Sequence, residues 1–179
     1  MTTFVSILRG INVGGHRSIR MADLNALFES LKFRDVATYV QSGNVVFKAT
    51  AGTTAKIAGR IETAISERFG FDVPVLVRSA NEMKTTVAGN PFVKERGIGL
   101  DKLHVTFLGS LPDVALVENL TGEEYYPDRF VINGRDVYLH CPDKYGGTKL
   151  SNAFFERKLR VCATTRNWKT VTTLLAMAT

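Results

Sequence analysis

The spacing of apolar residues alternates between two periods along the chain. Phe4, Val5, Ile7 and Leu8 form a nearly continuous apolar run, which predicts a buried strand over Thr3–Leu8. Leu24, Leu27, Phe28 and Leu31 recur at helical spacing, so Met21–Leu31 reads as a helix. Asp35–Gln41 and Asn44–Lys48 read as two strands joined tightly around Ser42-Gly43, a hairpin signal. Ile57, Ile61, Ala64, Ile65 and Phe69 then predict a helix over Thr54–Phe69, and Val73–Arg78 a further strand. The order β-α-β-β-α-β is that of a ferredoxin-like split unit.

The pattern then begins again. Ser79–Gly89 reads as a helix capped by Ser79 or Asn81 and ended by Asn90-Pro91-Phe92, and Gly97 and Gly99 read as a linker. Leu103–Leu108 is an expected strand and Asp113–Leu120 a short helix. Tyr126–Ile132 and Asp136–His140 form a hairpin around Asn133-Gly134-Arg135. Thr148–Leu159 reads as a helix with Thr148 as its N-cap. A further helix starts around Arg166, with Trp168, Val171, Leu174, Leu175 and Ala178 at helical spacing. The expected class is α+β: a ferredoxin-like unit, then a second, related half with two C-terminal helices. The expected domains are residues 1–80, a helix and linker over 81–102, and residues 103–179. Thr3–Lys48 echoes Leu103–Cys141 as a degenerate repeat.

Charge separates the two ends of the chain. Lys144–Thr179 holds seven basic residues (Lys144, Lys149, Arg157, Lys158, Arg160, Arg166 and Lys169) against the single acid Glu156. That tail carries the whole formal net charge of +6, because residues 1–143 balance sixteen basic against sixteen acidic side chains. An asymmetry of this kind points to an anionic partner, although a basic face can also simply be solvated. The apolar fraction of 45% is that of an ordinary globular protein. No apolar run is long enough to span a bilayer, and Met-Thr-Thr-Phe-Val opens no signal peptide, so a cytoplasmic location with no membrane partner is expected. Cys141 and Cys162 then read as free thiols.

Two loops could hold an anion. Arg9–Arg20 follows a strand and carries Gly10, Gly14, Gly15, Asn12 and several cations, which suits backbone N–H groups wrapped around an anion. Its glycine spacing fits no dinucleotide fingerprint and no P-loop, and Gly146-Gly147-Thr148-Lys149 fails the P-loop pattern too. A turn-rich connection is the plainer reading of both. The expected helix starts beside Lys149 and Arg166 would add positive potential. His16, His104 and His140 share no ligand spacing, so no metal is expected, and nothing calls for a cofactor. The third strand lacks the basic-glycine-aromatic opening of RNA-recognition modules, which leaves only non-specific backbone contact open.

Three long runs carry a resemblance. Leu8-Arg9-Gly10-Ile11-Asn12-Val13-Gly14-Gly15, Gln41-Ser42-Gly43-Asn44-Val45-Val46-Phe47, and Tyr145–Leu159 followed by Ala163–Val171 resemble the signatures of the DUF1697 family. The resemblance implies a small cytosolic bacterial-type α+β protein of unknown function. It carries no catalytic residue and no substrate.

The expected function is binding of a phosphate-bearing or other anionic ligand, a nucleotide or nucleic acid, in a basic cleft between the halves. The candidate residues are Arg9, Asn12, Ser42, Asn44, Lys149, Asn152 and Arg166, each at a strand end, a tight turn or a helix start. One alternative is an enzyme acting on an anionic small molecule, with Lys149 and Arg166 holding the charge and Glu156 as acid or base. The other is an interaction protein with a basic face.

Overall fold

The computed structural model describes residues 1–50 and 52–179 of the chain. It divides into two compact units, Met1–Thr85 together with Leu174–Thr179, and Thr86–Thr173.

The first unit runs β1 (Thr2–Leu8), α1 (Met21–Ser30), β2 (Arg34–Tyr39), β3 (Asn44–Ala49), α2 (Thr54–Phe69) and β4 (Val75–Ser79), and leads into α3 (Ala80–Ala88). Its strands form an antiparallel sheet in the order β2-β3-β1-β4, the ferredoxin-like arrangement. Phe4 and Leu8 of β1, Val45 and Phe47 of β3, and Val75 and Val77 of β4 point to one face. There they pack with Leu24, Leu27 and Phe28 of α1 and with Ile57, Ile61 and Ile65 of α2. Phe47 sits at the centre of this core, its ring 5.2 Å from Phe28 and 4.6 Å from Phe33. Thr53 caps α2 by accepting from the Lys56 N–H, and Gly70 ends it in the left-handed region.

The second unit repeats the plan with β5 (Leu103–Leu108), α4 (Val114–Glu118), β6 (Arg129–Asn133), β7 (Asp136–His140), α5 (Asn152–Leu159), β8 (Ala163–Asn167) and the start of α6 (Trp168–Ala178). Its sheet has the order β6-β7-β5-β8, strand for strand that of the first. Leu108, Val137 and Leu139 meet Phe154, Phe155 and Leu159 of α5. The register makes the repeat specific: Val5 pairs with Arg78 as Val105 pairs with Arg166. Both arginines are buried, at 2% and 8% exposure. Each is followed by a residue that caps the next helix. The Ser79 Oγ accepts from the Glu82 N–H, and the Asn167 Oδ1 from the Thr170 N–H.

Two local expectations are corrected. Arg166 is not at a helix start but in β8, whose residues Ala163–Asn167 pair one for one with β5, and the helix begins two residues later. The run Ala-Thr-Thr-Arg-Asn is β-branched in the middle, which suits a strand. The Thr148–Leu159 helix is shorter: Tyr145–Gly147 is a 3-10 turn and α5 starts at Asn152, capped by the Ser151 Oγ accepting from Phe154 N–H. Thr148 instead fixes the loop, donating to the Asp128 carboxylate and accepting from the Leu150 N–H.

Candidate functional site

In the first unit the loop after β1 and the turn between β2 and β3 are built into each other. The Leu8 N–H donates to the Gly43 carbonyl at 2.9 Å. Gly43 lies so close to β1 that a Cβ there would stand 2.6 Å from Ile11 Cδ1 and 2.9 Å from Leu8 Cβ, and its φ is +87°. The Asn12 side chain spans the loop. Its Nδ2 donates to the carbonyls of Ile19 and Gln41, and its Oδ1 accepts from the Ile19 N–H at 2.8 Å. Asn44 is fully buried and donates to the Tyr39 carbonyl and to the Ser42 Oγ. Both amides are therefore spent inside the fold. Among the candidates of this unit, Asn12, Ser42 and Asn44 share one assembly. Arg9 stands at its edge, half-buried, with its N–H on the Pro74 carbonyl.

Beyond that base the loop forms a small finger. Val13 and His16 are bridged across Gly14-Gly15, which have φ of +59° and +75°, the mirror-image turn that suits two-residue hairpins. Asn12 and Arg17 flank it, both at positive φ (55° and 48°), where a non-glycine residue costs about 1–2 kcal/mol. Ile11 and Ile19 are buried at its base, while every residue from Val13 to Ser18 is exposed.

In the second unit Lys149, Asn152 and Arg166 serve different ends. Lys149 is exposed in the loop before α5. The Asn152 Oδ1 accepts from the Thr165 hydroxyl, and that hydroxyl also meets the Thr106 hydroxyl at 2.7 Å. Arg166 is buried and donates to the Thr164 hydroxyl and the Thr165 carbonyl. Burial pulls its guanidinium down to about 10, which leaves it charged at neutral pH. The depression of about 310 Å³ beside Lys149 is not a basic pocket, since Glu124, Asp128 and Asp143 line it along with Lys144 and Lys149.

The cations that remain are on the surface. Lys144, Lys149, Arg157, Lys158, Arg160 and Lys169 are all exposed, and among the described residues none of them forms an ion pair. Arg157 lies over the Phe154 ring at 5.9 Å. On α5 the Glu156 carboxylate accepts the Ala163 N–H and ties the helix to β8. Of the exposed cations, sequence reasoning put only Lys149 among the candidate site residues. The exposure of Arg157, Lys158 and Arg160 follows from the buried stripe Phe154, Phe155 and Leu159 on the other side of α5. Arg78, the counterpart of Arg166, was overlooked because the two halves share little sequence around it. Among the described residues no group of histidine, cysteine and carboxylate side chains is placed to hold a metal, and both cysteines are free thiols.

Two antiparallel sheets of identical strand order, each backed by helices, define a tandem ferredoxin-like α+β protein. The chain belongs to the DUF1697 family, proteins of unknown function, whose model matches residues 1–138. That match includes the interlocked runs around Asn12 and Gly43 and stops before Tyr145. Among solved structures the conserved bacterial protein SP0830 of Streptococcus pneumoniae has the same fold, with a TM-score of 0.76 and 22% identity over 99% of each chain. No match is found among curated proteins. Among the described residues no helix is long and apolar enough to cross a membrane.

Proposed function

We propose that this protein binds a phosphate-bearing polyanion, the backbone of a nucleic acid, through the basic surface of its second unit. One observation supports the reading: among the described residues, the six exposed cations between Lys144 and Lys169 form no ion pair. Unpaired surface charge of one sign attracts an extended opposite charge and releases its condensed counter-ions. The cations are spread over a loop, the end of α5 and the start of α6, and the depression that Lys144 and Lys149 line is shared with Glu124, Asp128 and Asp143. The residues that would have cradled a single phosphate, Asn152 and Arg166, are held by threonine hydroxyls and backbone. That spread favours a long ligand over a mononucleotide.

The test is fluorescence anisotropy with labelled 20-nucleotide single strands and duplexes between 50 and 300 mM salt. Four to six phosphate contacts predict a log–log salt slope of about −4 to −5 on duplex. The double variant Lys158→Glu/Arg160→Glu loses at least about tenfold in affinity at low salt and flattens the slope by about 2. Affinity that ignores salt, or ignores this variant, sinks the reading.

A further inference from the structure

The two units make the same β-to-α connection at very different length. In the second unit Gly109–Asp113, five residues, lead from β5 to α4; in the first, Arg9–Arg20, twelve residues, lead from β1 to α1. The shorter version shows what the topology requires. The additional residues rise from a base of buried Ile11 and Ile19 and bury nothing above it. They are nevertheless fixed: the Asn12 amide makes three hydrogen bonds, Gly43 nests under Ile11, and two non-glycine residues are held at positive φ. Backbone held this tightly in sparsely populated conformations, without serving the core, is a mark of a contact element.

The chemistry of the tip narrows the partner. Gly14 and Gly15 have no side chains, so the end of the finger is thin. No acid occurs between Arg9 and Ala22. Arg17, folded over Gly10, and the adjacent His16 are exposed, and Arg17 has no ion pair among the described residues. Val13 adds one exposed apolar side chain at 65%. A thin strand-like tip with an arginine and an apolar wedge matches the minor groove of duplex DNA, which is about 6 Å wide and draws arginine where A·T pairs narrow it.

We infer that the finger Asn12–Ile19 enters the minor groove of duplex DNA, with Arg17 as the groove-facing cation. The inference rests on the polyanion reading above and adds an element and a groove to it. The test uses the full chain with A·T-rich and G·C-rich 20-base-pair duplexes and the matching single strands, together with hydrogen exchange of residues 12–19. The expected result is preference for the A·T-rich duplex and slowed exchange across the finger when it is bound. Arg17→Gln then loses about tenfold on that duplex and under about twofold on the single strand, with Arg17→Lys in between. Duplex binding that is unaltered by Arg17→Gln, or that leaves exchange of the finger unaltered, overturns the inference and leaves the polyanion reading standing. Failure of the unmodified chain to bind any oligonucleotide overturns both.

Discussion

Gly43 and Asn12 are the residues on which the first unit's loop depends, for different physical reasons. A methyl group at position 43 would meet Ile11 and Leu8 at distances real contacts do not reach, in a backbone conformation that disfavours any side chain. Gly43→Ala is expected to lower stability by about 2–4 kcal/mol, from overpacking and left-handed strain together, read as the urea midpoint. Asn12→Ala leaves the Ile19 N–H and carbonyl without their partner, and a loss of about 1–3 kcal/mol is expected in the same assay. Both positions stand out in the sequence, as a glycine in a tight turn and an asparagine in a glycine loop. Their assembly does not, because the Asn12 amide reaches a carbonyl 29 positions away, that of Gln41. Residue types were legible; the partner atoms, being backbone, have no letter of their own.

At the scale of elements, the hydrophobic periods located the strands and helices of the first unit closely, since α1, α2 and the strands each present a clear apolar face. Reading failed at β8, where Ala163–Asn167 has polar, β-branched side chains and is held by pairing with β5 rather than by an apolar stripe. Missing that strand concealed that the second half is a complete copy of the first. The copies also share a device at the turn from last strand to helix. At Ser79 it is reciprocal, the Oγ accepting from the Glu82 N–H and the Glu82 carboxylate accepting the Ser79 N–H at 2.7 Å. Ser79→Ala is expected to cost about 1 kcal/mol and to raise hydrogen exchange selectively in the first turn of α3.

For the molecule as a whole, protonation limits stability at both ends of the pH scale. Burial lowers His104 below its ordinary 6.5 and, with help from Arg129, lowers His140 as well. The unfolded chain then takes up protons first, so stability is full above pH 6.5 and declines as the pH falls through the lowered values. Burial raises Tyr138 to about 12 from 10, with Asp136 adding to it, and raises Cys141 to about 11 from 9. There the unfolded chain loses protons first, and stability declines as the pH rises from 9 toward 12. Urea midpoints across that range are expected to show both limbs. Tyr138→Phe removes part of the alkaline limb, and also the hydrogen bond from the Tyr138 hydroxyl to the Thr86 carbonyl. The division into units bears on synthesis too. The first unit draws Leu174–Thr179 from beyond the entire second unit. On the ribosome, the half that is translated first thus receives its last segment only after the whole of the other half has emerged.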